Sequence, residues 1–161
     1  MRAKASISTQ KDTVKVTQAE YETLADLRYS LRQFLRFSEE AAQSAGIMPQ
    51  QHQALLAIKA AAGNHGISVG ELAERLQIRH HSAVGLVDRL VLKGLVARRQ
   101  NGADRRQVHL ALTARGAKTL EKLSAVNKEE LRRIGPQIEL LLKRLREQEQ
   151  KTSVYEYEQY I

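Results

Sequence analysis

The chain has 161 residues, about one domain's worth, and its 42% hydrophobic and 27% charged residues are ordinary for a globular protein. It holds 26 Lys+Arg against 18 Asp+Glu, a formal net charge of +8 that favours an anionic partner, nucleic acid or membrane surface. It has no cysteine, which excludes disulfide scaffolds, thiol sensors and Cys-based zinc or nucleophilic sites. No apolar run reaches the ~20 residues that span a bilayer and no signal-peptide core is visible, so the expectation is a soluble, cytoplasmic protein.

Residues 1–16 (with Arg2, Lys4, Lys11 and Lys15) read as a flexible basic arm. Thr17-Gln18-Ala19-Glu20 has the form of a capping box, and Tyr21, Leu24, Leu27, Leu31, Phe34 and Leu35 recur every three or four residues behind it. The spacing predicts a long helix over 17–46 with one apolar face, stopped at Gly46. Pro49 suits the first turn of a second helix, which runs through Leu55, Leu56 and Ile58 to the turn at Gly63–Gly66. Met48 stands where a capping Ser or Thr is usual. Ser68-Val69-Gly70-Glu71 is a second capping box, opening a short helix with Leu72, Ala73 and Leu76 inward. After a turn at Gln77–Arg79, a helix over His80–Lys93 buries Ala83, Leu86, Val87 and Leu90, and Gly94 sits where a left-handed residue is wanted.

The period then changes from 3.6 to 2. Residues 95–99 and 107–112 read as strands around a polar loop, Gln100–Arg106. Thr113 caps a helix with Leu120, Leu123, Leu131 and Ile134 on its apolar side. Gly135-Pro136 is expected to break or kink it before a last helix carrying Ile138, Leu141, Leu142 and Leu145. Two short helices, a tight turn and a hairpin make a winged helix-turn-helix over 47–113. The fold class is therefore mainly α with a small β-hairpin wing. The apolar stripes at both ends are too long for so small a module to cover, so 17–46 and 114–150 are expected to be dimerisation helices. Residues 151–161, rich in tyrosine, are left as a tail of unknown role.

The charge is concentrated in the centre. Residues 67–119 hold 10 Lys/Arg and 4 Asp/Glu, whereas 120–161 hold 8 of each. Aromatics are only 4% with no Trp, so stacking platforms for unpaired bases are scarce and duplex recognition fits better. The second helix of such a motif enters the major groove with its first residues nearest the bases. Here these are Arg79, His80, His81 and Ser82, with Val84 placed for a thymine methyl and Arg89 further along. Gly85 offers no side chain there. Lys93, Arg98 and Arg99 are expected phosphate anchors. At the wing, Asp104 lies two residues from Arg106 and beside Arg105, so the carboxylate can aim an arginine into a narrow minor groove.

Competing chemistry is thin. His80 and His81 project about 100° apart on a helix, a poor chelating pair. His52, His65 and His109 lack ligand-spaced partners, so neither metal nor cofactor is expected. His81, Ser82 and Asp88 share one basic helix and cannot surround an oxyanion pocket, and no phosphate-binding glycine loop is present; an enzyme is not expected. A membrane-surface role lacks a Lys-rich amphipathic helix with bulky anchors. The alternative from another class is a winged helix used as a protein-interaction module without a specific operator.

Gly70-Glu71-Leu72-Ala73-Glu74-Arg75-Leu76, Gly85-Leu86-Val87-Asp88-Arg89-Leu90, Lys93-Gly94-Leu95-Val96-Ala97-Arg98, Asp104-Arg105-Arg106 and Leu112-Thr113-Ala114-Arg115-Gly116 follow one another as in the MarR family of bacterial transcription regulators. Gly46-Ile47-Met48-Pro49-Gln50-Gln51 also resembles the start of that family's second helix. The resemblance implies a homodimer with interlocked terminal helices, whose winged lobes read double-stranded DNA at a palindromic operator as a repressor. It also implies that the Asp104–Arg106 pair is the family's wing signature, and that a small aromatic or phenolic anion releases the DNA. For such an effector Arg28, Arg32 and Arg36 recur at four-residue spacing, and Tyr21, Tyr29 and Phe34 are placed to line a cleft. A solvated arginine stripe and core packing of Tyr21, Tyr29 and Phe34 are the simpler readings. The cysteine-dependent peroxide trigger of one family branch is excluded.

Overall fold

The computed structural model describes residues 16–63, 66–100 and 108–158; residues 1–15 of the expected basic arm lie outside them. In chain order these form α1 (Gln18–Ser44), α2 (Pro49–Ala61), α3 (Val69–Arg75), α4 (His80–Leu92), β1 (Val96–Gln100), β2 (Val108–Leu112) and α5 (Ala114–Glu158). They fall into two compact units, Leu31–Pro136 and the residues before and after it, so α1 and α5 each contribute to both.

Local chemistry sets the element ends. Both expected capping boxes form. The Thr17 N–H donates to Glu20 Oε2 at 2.6 Å, and the Ser68 N–H to Glu71 Oε2 at 2.7 Å with the Glu71 N–H returning to Ser68 Oγ at 3.2 Å. Pro49 is the first residue of α2. Met48 has no hydroxyl to offer; instead its own N–H donates to Gln51 Oε1 at 3.0 Å, and Gln51 is 2% exposed. Gly94 ends α4 at φ +67°, and the Leu95 N–H turns back to the Leu90 carbonyl at 3.0 Å. The α3–α4 turn is closed by Gln77 at φ +54°, an uncommon conformation for a residue with a Cβ.

Within Leu31–Pro136, α2, α3, α4 and the antiparallel β1–β2 hairpin share one core. Leu55, Ile58, Leu72, Leu86, Val87, Leu90, Val96 and Leu110 are its fully or nearly fully buried members. Leu120 and Leu123 of α5 and Ala42 of α1 close it. Val96 pairs with Leu112 and Arg98 with Leu110, while Ile67 adds a single bridge to Leu110 on the other side. All four expected core positions of α4, Ala83, Leu86, Val87 and Leu90, are buried.

In the second unit the most buried α1 side chains are small hydroxyls, Thr23 and Ser30. Each bonds the carbonyl four residues back, and Gln148 Nε2 of α5 donates to Thr23 Oγ1 at 3.4 Å. Leu141 is buried here as well.

Two expectations need correction. Gly135-Pro136 does not end the last helix: α5 runs unbroken from Ala114 to Glu158 with Pro136 inside it. Proline removes one backbone bond, but the turns on either side are anchored by the buried Ile134 and Leu141. Residues 151–158 continue α5. Finally, Tyr21 and Tyr29 are not core residues, being 58% and 55% exposed.

Candidate nucleic-acid interface

The face of α4 opposite its buried stripe carries the expected reading residues. Arg79 precedes the helix in an extended conformation (φ −69°, ψ 148°), and its carbonyl accepts from Ser82 and Ala83 at 3.0 and 3.1 Å. His80, His81, Ser82 and Arg89 are exposed, and Val84 is half-buried. No acidic residue occupies the first turn of α4, so the positive end of its dipole stands open to an anion beside the two imidazoles. A Cβ placed on Gly85 would lie 3.6 Å from Arg89 Nη1. The Arg89 fork therefore lies back over the position where Gly85 offers nothing.

The three expected phosphate anchors are not equivalent. Lys93 Nζ donates to the Gly46 carbonyl at 2.8 Å, tying the end of α4 to the α1–α2 corner. Arg98 Nη2 sits 2.7 Å from Asp88 Oδ1, joining β1 to α4. Arg99 is exposed and has no ion-pair partner among the described residues. The wing tip, 101–107, lies outside the described residues, and with it Asp104, Arg105 and Arg106. The Asp88–Arg98 and Lys93–Gly46 contacts were not visible in the sequence. Only their residue types were, since the partners lie 10 and 47 positions apart on different elements.

Clefts around the lobe include three that are lined by described residues. One, of about 470 Å³, is lined by Met48, Pro49, Gln50, Gln51, Leu86 and Arg89. A second, of about 560 Å³, lies among Ser68–Glu71, His80, Val108 and His109. The third, of about 490 Å³, is lined by Gln53, Leu56, Ala57, Ala60, Arg75 and Leu76. In the second, the Ser68 N–H and hydroxyl hold the Glu71 carboxyl below the usual carboxylate range. Both ring nitrogens of His109 lack a hydrogen-bond partner among the described residues. The expected effector residues Tyr21, Arg28, Tyr29 and Arg32 are exposed on α1 and line none of these three clefts. Arg36 is paired with Glu40 at 2.9 Å. No group of three or more His, Asp or Glu side chains among the described residues could hold a metal ion. No described helix is long and apolar enough to cross a membrane.

A helix-turn-helix followed by a two-stranded wing, with a basic outer helix face free of acidic residues in its first turn, defines a winged-helix DNA-binding protein. The MarR family model matches residues 45–107. Over 110 residues the chain is 31% identical to the HTH-type transcriptional repressor MdtR of Bacillus subtilis (strain 168), covering 65% of this chain and 68% of that protein. Among solved structures, the S. aureus MepR–DNA complex is similar with a TM-score of 0.59 and 17% identity, covering 91% of this chain and 100% of MepR. CouR of Rhodococcus jostii RHA1, bound to p-coumaroyl-CoA, is similar with a TM-score of 0.65 and 23% identity, covering 83% of this chain and 94% of CouR. The chain belongs to the MarR family. It is a transcription regulator and not an enzyme.

Proposed function

We propose that this regulator is a homodimeric repressor that binds a palindromic duplex operator and is released by a small aromatic or phenolic ligand. The observation that carries this reading is the outer face of α4, where Arg79, His80, His81, Ser82 and Arg89 are presented together beside the β1–β2 hairpin. In this reading His80, His81, Ser82 and Val84 approach base edges while Arg79, Arg89 and Arg99 meet phosphates. Asp104 orients the wing arginines Arg105 and Arg106 toward the minor groove. Repression is supported by the likeness to the repressor MdtR, and DNA contact by the likeness to MepR, which was solved with DNA.

Dimerisation is assigned to α1 and α5. Leu24, Leu31 and Leu35 of α1 and Val126, Leu131, Leu140 and Leu142 of α5 are 41–52% exposed in the single chain, more apolar surface than two helices usually leave in water. Ligand response is supported by the likeness to CouR, solved with a phenolic thioester. The exposed Tyr21, Arg28, Tyr29 and Arg32 are the proposed contacts for a carboxylated aromatic molecule. Gel-shift titration on the intergenic DNA upstream of the protein's own gene tests the reading. Site-selective, salt-sensitive binding is expected, severely weakened in Arg106→Ala. A dimer that binds no duplex selectively would instead make the fold a protein-interaction module.

A further inference from the structure

We propose that Asp88 is a positioning residue: it holds Arg98 off the phosphate backbone and uses it as a strut between α4 and the wing strand β1. This rests on the DNA-binding reading above and changes the role of one of its cations. Val96, Arg98, Leu110 and Leu112 share one face of the hairpin, because side chains alternate along a strand and these residues pair across it. Val96 and Leu110 are 2% and 3% exposed, so this is the face packed on the helical core. Arg98 is therefore an arginine on the inward face, at the point where the core gives out. Arg99, paired with His109, is on the other face.

From that position the Arg98 guanidinium reaches back to α4 and meets Asp88 at 2.7 Å. Both partners are rooted in rigid elements. Leu86, Val87 and Leu90 fix the helix around Asp88, and the β1–β2 ladder fixes the strand around Arg98. The pair lies two residues before β1 ends at Gln100, where the wing leaves the core. An ion pair this exposed adds little to stability, with side chains 38% and 53% accessible. It does define the angle between the helix that reads the major groove and the strand that carries the wing. It also neutralises one of the cations that composition alone would assign to phosphate contact.

The proposal predicts a pattern that a phosphate anchor cannot produce. Wild type, Arg98→Gln, Asp88→Asn and the double variant are titrated with a 30-bp duplex selected from a random pool and with an unselected duplex, across a KCl series. Salt-dependent binding by wild type is the prior condition; if wild type binds neither duplex, the DNA-binding reading itself falls. Given that binding, Arg98→Gln is expected to leave the log K against log salt slope unchanged. Loss of a true phosphate contact would flatten it by about 0.9. The same variant is expected to lower the preference for the selected duplex roughly fivefold, within the range of coupled neighbours. Asp88→Asn is expected to lose the same preference while steepening the slope, because it releases Arg98. In the double variant the steepening disappears and preference is no worse than in Arg98→Gln. Arg99→Gln serves as the comparison that does flatten the slope. A flattened slope in Arg98→Gln, or unchanged preference in both single variants, would overturn the proposal.

Discussion

The first turn of α5 is pressed against the carbonyl oxygen of Leu95: a β-carbon on Gly116 would collide with that oxygen. The same carbonyl accepts the Thr113 N–H at 3.1 Å, and Thr113 Oγ1 both donates to the Gly94 carbonyl at 2.6 Å and accepts the Gly116 N–H at 3.0 Å. The start of β1 and the start of α5 are thus joined with no room between them. Gly116→Ala should cost about 3 kcal/mol, because backbone on both sides cannot yield without breaking these bonds. Urea unfolding measures it; a change below about 0.5 kcal/mol would show that α5 can step away from Leu95 freely.

Acid is expected to weaken the fold through His52. His52 is 7% exposed, and burial pushes its pKa below the ordinary 6.5. The unfolded chain takes up a proton near 6.5, whereas the folded chain resists until lower pH. The stability His52 contributes is therefore fully present above 6.5 and falls as pH drops below it. Glu71 and Glu130, whose carboxyls are held low by Ser68 and Arg133, lose their contribution only at more acid pH, below the ordinary carboxylate value of 4.5. Comparing urea midpoints at pH 7.5 and 5.5 isolates the histidine: His52→Gln should shrink the difference, and an equal loss in both proteins would contradict the assignment.

Ser68→Ala should remove the cap of α3 at a cost of roughly 1 kcal/mol. It also deprives the Glu71 carboxylate of its hydroxyl donor and loosens the backbone bond beside it, so the Glu71 pKa should rise toward its ordinary value in an NMR titration. A Glu71 titration that does not move would mean that the capping box is not what depresses it.

Much of this architecture was legible because short-range chemistry dictates it. Ala83, Leu86, Val87 and Leu90 are spaced for one helix face, Ser68 and Glu71 lie three apart, and Gly94 marks a left-handed turn; all three readings hold. Strand ends fell within one residue of the expected positions, because where a ladder stops depends on the partner strand as well as on local propensity. Pro136 was misleading because its local penalty is smaller than the support of the helix around it. The uses of Lys93 and Arg98 stayed hidden for a different reason. A charge excess counts cations, but it does not reveal which of them the fold turns inward onto Gly46 or Asp88.

The exposed leucines of α1 and α5 lead to a fourth prediction. Leu24→Glu and Leu140→Glu each place a charge where a partner chain is proposed to pack, forfeiting about 2 kcal/mol of burial apiece. Sedimentation equilibrium should show the double variant shifting from dimer toward monomer at micromolar concentration. An unchanged dimer mass would move the interface elsewhere.

Whether two copies of this winged lobe read duplex DNA together is decided by selecting binding sites for the protein from a pool of random duplexes. Enrichment of an inverted repeat is expected, with half-sites centred about one helical turn apart, or a multiple of it, as two symmetric recognition helices require. Enrichment of no sequence after repeated rounds, or of a single unrepeated half-site bound by one chain, would contradict it.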